Sequence, residues 1–153
     1  MTKFIVLDSE GDGLAYTCTK LHNLCWTEDG ETFGYTTNYD EMREVLSQED
    51  VLFVAHNVIR HDSVVFSRIL NLRIPYQKFV DTLALSWYLY PDRSEHGLES
   101  WGVTLGFPKV KVAKEQWEIG DESLMRERVE RDVLINYLLW EKMKKRLSEI
   151  YEG

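Results

Sequence analysis

The chain is short of cations, of cysteine and of long apolar runs, and each shortage removes a class of function. Lysine and arginine number 18 against 26 aspartates and glutamates, a net charge of −8. Proteins that grip duplex nucleic acid by their overall field are usually basic, so that class is excluded. Nucleic acid held locally, through metal ions and a few contacts, is not excluded, because a metal site of gathered carboxylates carries negative charge by design. The two cysteines, Cys18 and Cys25, have neither C-x-x-C spacing nor a matching His/Cys set, and read as reduced thiols in a reducing compartment. No apolar run is long enough to span a bilayer, and the N-terminus reads as a strand rather than a signal segment. A cytoplasmic protein with no membrane partner is expected. Internal repeats, low-complexity stretches and linker-like segments are also missing. One domain over residues 1–153 is therefore expected, and 44% apolar residues suffice for its core.

What the chain does have begins at its start. Phe4-Ile5-Val6-Leu7 reads as a buried strand that delivers Asp8 and Glu10 two positions apart, on one side of the pleat. Two like charges on one strand face repel unless a cation lies between them, which suggests a divalent-metal site with oxygen ligands. Glycines at 11 and 13 also suit a loop that the two acids merely open. The pair alone leaves both readings open.

Further along, Ala15 to Trp26 and Thr32 to Thr37 read as strands, with Asp29-Gly30 as a hairpin signal between them. The first three strands then form an antiparallel meander. Asn38 or Asp40 caps a helix running to about Gln48. Val51-Leu52-Phe53-Val54-Ala55 is apolar without alternation, the pattern of a strand covered on both faces in the middle of an α/β sheet. It runs into His56-Asn57 and then Asp62, at the start of a helix beyond the carboxyl end of a buried strand, where ligands collect in open α/β sheets. On position alone, Asp62 reads as an N-cap.

Asp81 opens the next helix, through Tyr90, and reads as its cap rather than as an extra metal ligand. Leu98, Trp101 and Leu105 mark a short amphipathic helix closed by Gly106 and Pro108. Lys109, Lys111 and Lys114 are read as the one dense cluster of cations. Most such clusters are solvated surface, but a lysine such as Lys111 near a carboxylate-rich cleft could meet a phosphate. The last helix runs from about Glu122 to Ser148, with Met125, Val129, Val133, Tyr137, Trp140 and Leu147 on its buried stripe. Asp132 lies beside that stripe, where a carboxylate is costly unless paired or metal-bound. Asp8, Glu10, Asp62 and Asp132 lie far apart in sequence, so only the fold could unite them. Four acids at one end of a sheet are what two-metal phosphoryl transfer needs.

The ordered set resembles the exonuclease motifs of the DEDD superfamily, and most closely the proofreading exonuclease domain of phage-type family A DNA polymerases. The resemblance rests on Asp8-Ser9-Glu10, on His56-Asn57 followed by Asp62, and on Asp132 in the last helix. It extends to Leu14 followed by Thr19-Lys20-Leu21-His22, to Asp81-Thr82-Leu83 with Leu85-Ser86, and to His96-Gly97-Leu98-Glu99-Ser100-Trp101-Gly102 with Leu105-Gly106. It covers nearly the whole chain. It implies an RNase H-like α/β fold in three layers, with a central mixed five-stranded sheet flanked by helices. It also implies two Mg²⁺ or Mn²⁺ ions on Asp8, Glu10, Asp62 and Asp132, and 3′→5′ hydrolysis of single-stranded DNA to nucleoside monophosphates. Leu14 would pack on the terminal bases and Asn57 would contact the strand. His56 is a substrate contact or a structural histidine.

The sequence departs from that pattern in the last helix. The family carries a tyrosine four residues before the final Asp, or a histidine five before it, to orient the attacking water; here those places hold Arg128 and Glu127. A guanidinium cannot act as a base. Arg128 could pair with Asp132 one turn away or contact a phosphate, and Glu127 could orient water if its surroundings raised its pKa. The leading expectation is a stand-alone, phage-type exonuclease in the host cytoplasm, working beside a separately encoded DNA polymerase or replication protein. The alternatives are a catalytically weakened exonuclease-fold module that binds a replication partner or a DNA end, and an RNase H-like endonuclease.

Overall fold

The computed structural model describes residues 2–108, 110, 115 and 121–152. Five strands share one sheet: β1 (Lys3–Gly11), β2 (Leu21–Thr27), β3 (Phe33–Thr36), β4 (Val51–Ala55) and β5 (Phe79–Asp81). Their order is β3-β2-β1-β4-β5; the first three pair antiparallel, while β4 runs parallel to both β1 and β5. This is the mixed sheet expected, with one adjustment: β1, not the apolar run Val51–Ala55, holds the middle.

Helices α1 (Tyr39–Leu46) and α2 (Asp62–Leu70) cover one face of the sheet, and α3 (Thr82–Leu89), α4 (Leu98–Leu105) and α5 (Glu122–Tyr151) cover the other. The period-two alternation of β1 divides the core between them. Ile5 and Leu7 pack with Met42 and Leu46 of α1 and Val65, Phe66 and Leu70 of α2. Val6 packs on the opposite face with Leu89, Trp101, Val129, Val133, Leu139 and Met143. The three layers and the sheet order make this an RNase H-like α/β fold.

Local chemistry sets the boundaries. Asn38 caps α1, its Oδ1 accepting from the backbone N–H groups of Asp40 and Glu41 at 2.8 and 3.0 Å. The β2–β3 turn places Gly30 at φ 75°, under the ring of Tyr137, where an added Cβ would lie 2.4 Å from a ring carbon. The expected strand from Ala15 is absent before Leu21. Thr17 and Cys18 turn their N–H groups back onto the Leu14 carbonyl, and the Asp12 carboxylate collects those of Thr19 and Lys20, so no ladder partner is left for that stretch. The last helix also runs on to Tyr151, past the expected end at Ser148.

Both cysteines are free and buried. Burial, with the nearby charges of Glu130 and Asp8, pushes the Cys25 thiol up to about 12, and burial likewise raises Cys18. A thiol held protonated is a poor nucleophile. The native protein should therefore resist an aromatic disulfide reagent at about pH 8, with both thiols reacting once guanidinium unfolds it. Rapid reaction of either in the native state would contradict the packing described.

Candidate active site

β1 outruns its parallel neighbour. Its pairing with β4 covers Lys3–Val6, whereas its pairing with β2 continues to Gly11. The stretch from Leu7 to Gly11 therefore projects beyond the carboxyl end of β4, at the kind of crevice where open α/β sheets hold ligands. A register shift between Glu10 and Gly11 marks the end of regular pairing, and the backbone N–H of Glu10 donates to Asn23 Oδ1 at 3.0 Å. Gly11 has no room for a side chain: a Cβ there would lie 2.7 Å from Cys18 Sγ. The loop that follows therefore doubles back close to the strand end.

Strand parity decides which acids meet. Asp8 and Glu10 share the face of Val6, beneath α5, and Asp132 sits on α5 between the fully buried Val129 and Val133. One carboxylate oxygen from each of Asp8, Glu10 and Asp132 lies within 4.8 Å of the others. Glu10 is 6% exposed and Asp132 3%, while Asp8 is half-buried and opens the cluster to solvent. Arg128, one turn before Asp132, brings its Nε to 3.5 Å from Glu10 Oε1 and donates from Nη1 to the Val110 carbonyl at 2.7 Å. A guanidinium thus stands at the edge of the cluster, aimed at the acid of a distant strand.

Asp62 approaches from the other layer. It is the first residue of α2, it is buried, and its Oδ1 lies 3.2 Å from His61 Nδ1. The Ser9 hydroxyl, on the β1 face opposite Asp8 and Glu10, also hydrogen-bonds to it. Burial pushes the Asp62 carboxyl up, the His61 contact pulls it down, and the charge of Asp81 pushes it up again. The hydrogen bond to Asp62 raises His61 in turn. The N-cap reading of Asp62 fails: His61 occupies the cap position, and the Asp62 side chain turns inward rather than back to the helix backbone. His61 and Ser9 were missed in the sequence, although their adjacency to Asp62 and Asp8 was the available signal.

The other expected residues fall into place around these. Asp81 caps α3 as expected, accepting from Leu83 N at 3.0 Å. It also accepts from the N–H groups of Asn57 at 2.9 Å and Ile59 at 3.3 Å, and so fixes the turn that leads to Asp62. Asn57 sits in that turn at φ 61°, a conformation asparagine tolerates. His56 Nδ1 lies 2.8 Å from Thr82 Oγ1 and its Nε2 lies 3.0 Å from the carbonyl of His96; Thr82 donates onward to Asn136 Oδ1 at 2.7 Å. Both ring nitrogens of His56 are therefore engaged inside the scaffold, the structural alternative for that residue. Leu14 stands 74% exposed on the loop after β1, and Glu127 is exposed on α5.

Lys111, with Lys109 and Lys114, lies outside the described residues. The reading of those three as the one dense cation cluster is corrected by α5, where Lys142, Lys144, Lys145 and Arg146 lie within five positions. That run is partly neutralised, with Lys144 2.7 Å from Glu141 and Arg146 3.7 Å from Glu149.

The donor set fits a divalent cation. Three carboxylates gathered under a cover of valines carry like charge that one guanidinium does not balance, and hard oxygen ligands suit Mg²⁺ or Mn²⁺. No protein-family model matches the sequence, and no curated protein matches it. Solved structures match the fold. Brucella melitensis NrnC superposes with a TM-score of 0.76 at 16% identity, over 97% of this chain and 76% of that one, and it has also been solved with bound Mg²⁺ and with pGG. Escherichia coli RNase D, described as an exoribonuclease involved in structured RNA processing, gives 0.66 at 17% identity over 97% and 40% of the two chains. E. coli Exonuclease I in complex with a dT13 oligonucleotide gives 0.65 at 12% identity over 99% and 43%. The fold is shared with exonucleases.

If the three-acid cluster binds a divalent ion, millimolar Mg²⁺ or Mn²⁺ should raise the melting temperature. At about a hundredfold excess over Kd, the gain is ~2.7 kcal/mol, which is roughly 5–10 °C for a chain of this size. Asp8→Asn should melt at the same temperature with and without metal. A wild-type melting temperature that ignores both ions would rule out this site.

Proposed function

We propose that the protein is a metal-dependent 3′→5′ exonuclease that removes nucleoside monophosphates from the end of a single strand, with DNA as substrate. The observation that carries this reading is the convergence of Asp8, Glu10 and Asp132, from a strand and a helix remote in sequence, onto one space at the carboxyl end of β1. The shared exonuclease fold supports it, as does the ordered motif resemblance.

Asp8, Glu10 and Asp132 are the assigned ligands, and Asp62, across the strand from them, is the fourth candidate. Two divalent ions held there would generate hydroxide near neutral pH and neutralise the departing 3′ oxygen. Three carboxylates against the Arg128 guanidinium leave a net −2, which matches a single divalent ion. The Asp62 carboxylate and the strand's own phosphate supply the charge that a second ion needs. Arg128 is not a base; it holds Glu10 in place and offers its remaining donors to a phosphate oxygen. Leu14, exposed at the mouth, is the wedge for terminal bases, and the turn at Asn57 guides the strand.

RNA is the second reading of the substrate, favoured by the RNase D likeness and by the pGG bound in NrnC. A DNA polymerase or replication protein remains the proposed partner.

The deciding assay uses 5′-labelled single-stranded DNA and RNA of matched sequence with Mg²⁺ or Mn²⁺. A ladder shortening from the 3′ end is expected. Asp8→Ala and Asp132→Ala should each cut its rate by more than about 100-fold, beyond the loss that removal of an outer-shell partner causes. Internal cuts would instead indicate an endonuclease. Binding without cleavage under either metal would indicate a non-catalytic module. Arg128→Tyr restores the family's residue and should raise the rate; an unchanged rate would show that the missing tyrosine does not limit this enzyme.

A further inference from the structure

A second feature lies on the far side of Asp62. Between α2, the Gly11–Lys20 loop and the segment from Arg73 to Tyr76 opens a cleft of about 420 Å³, within the ~300–1,000 Å³ range typical of small-ligand sites. It is lined by Tyr16, Ser63, Ser67, Arg68, Arg73 and Tyr76, among others, and no carboxylate among the described residues lines it. In a chain with 26 acidic residues and a net charge of −8, a cleft whose described lining holds two arginines and no acid favours an anion over a cation. The two tyrosines that line it are 77% and 64% exposed, so their ring faces are open to a ligand.

Position ties the cleft to the acids. Ser63 follows Asp62 directly, and Ser63, Ser67 and Arg68 recede along α2 at about 1.5 Å per residue, so the cleft extends roughly 8 Å away from Asp62. The loop that carries Tyr16 is fixed in advance. Arg68 Nη1 donates to the carbonyls of Ala15 at 2.6 Å and Cys18 at 3.1 Å. The Asp12 carboxylate ties down the loop's other end, accepting from Thr19 N at 2.7 Å, from Lys20 N at 3.2 Å and from the Thr19 hydroxyl. A loop backbone held in place before its ligand arrives loses little freedom on binding. Arg68 is thus occupied with the loop, whereas Arg73 is exposed and makes no ion pair or hydrogen bond among the described residues.

We propose that this cleft is an upstream subsite for single-stranded polynucleotide, in which Tyr16 and Tyr76 stack a base a few nucleotides from the 3′ end and Arg73 contacts its phosphate. The direction of the strand rests on the exonuclease reading; the binding itself does not. Stacking on tyrosine tolerates any base, because every base has a π face, and one phosphate contact per nucleotide suits a chain too acidic to hold a duplex by its overall field. DNA and RNA share this chemistry, so both are tested.

The test measures fluorescence anisotropy of labelled dT and U octamers, and of the matching dinucleotides, with Ca²⁺ in place of the catalytic metals. Tyr16→Ala and Tyr76→Ala should each weaken octamer binding at least about fivefold, the low end for loss of one stacked base, and Arg73→Ala should weaken it as well by removing the phosphate contact. Dinucleotide binding should stay within about twofold, since a dinucleotide fills only the acid cluster. Arg73→Ala should also reduce the slope of log K against log salt by about 0.7, the value for one lost phosphate contact on a single strand. All three side chains are on the surface, and unchanged melting temperatures will show that the variants fold. Octamer binding that is absent in the wild type, unchanged in all three variants, or weakened equally with dinucleotide binding would overturn the subsite. If these substitutions weaken octamer binding but the wild type cuts nothing with Mg²⁺ or Mn²⁺, the subsite stands and the hydrolytic reading falls.

Discussion

Mutual repulsion among Asp8, Glu10 and Asp132 is the constraint around which the rest of the molecule is arranged. At 4.8 Å, each pair of charges costs on the order of 3 kcal/mol at the effective dielectric of a partly wet site. What holds them together is apolar. Met125, Val129, Val133, Leu139 and Met143 seat α5 on the sheet through buried side chains, each worth roughly 1.5–3 kcal/mol. The five together are of the same order as the roughly 10 kcal/mol of the three pairwise repulsions, which the Arg128 guanidinium beside Glu10 further offsets. The fold can therefore keep three acids in place and leave their charge available to a cation.

Behind the acids, a polar network locks the helices of that layer to one another. The His56, Thr82 and Asn136 side chains join the end of β4 to α3 and α5. Ser86 Oγ lies 2.5 Å from His96 Nδ1 and accepts from Trp101 Nε1 at 2.8 Å, joining α3 to α4. The segments Asp81-Thr82-Leu83, Leu85-Ser86 and His96-Gly97-Leu98-Glu99-Ser100-Trp101-Gly102 carried the family resemblance, and several of their residues are the members of this network. What the resemblance read in those stretches was scaffold. The proposed chemistry rests instead on Asp8, Glu10, Asp62 and Asp132.

Most of the sheet was legible because its signals are local. The apolar runs of β1 and β4 and the Asp29-Gly30 turn each announce their own geometry. The stretch from Ala15 to Lys20 was misread as strand because Tyr16, Thr17 and Thr19 favour strands, while the groups that override them, the Asp12 carboxylate and the Arg68 guanidinium, come from outside the stretch. On position alone Asp62 reads as a cap because helix starts favour aspartate; the motif resemblance sets it among the acids instead, and the contacts with Ser9 and His61 that turn it inward depend on how α2 meets β1. Helical spacing pairs Arg128 with Asp132, but its contact with Glu10 across the layers depends on how α5 lies over β1. The cleft at Tyr16 and Arg73 draws on three separate segments and has no sequence signature at all.

Parity also separates what the fold dictates from what it leaves free. Even-numbered residues at the end of β1 face α5 and are committed to the acid cluster, whereas Ser9 faces α2 and brings Asp62 toward the same strand end from the opposite side. The end of β1 is therefore flanked by carboxylates from both layers, an arrangement that one helix or strand alone cannot produce. Substrate choice is not set by this geometry, since exonucleases that act on different nucleic acids share the fold. It falls to the segments that leave the strand ends: the Gly11–Lys20 loop held by Asp12 and Arg68, and the Asn57 turn held by Asp81. Both are fixed to the scaffold by hydrogen bonds from distant residues. A loop fixed this firmly meets a ligand with the shape it already has rather than by closing on it.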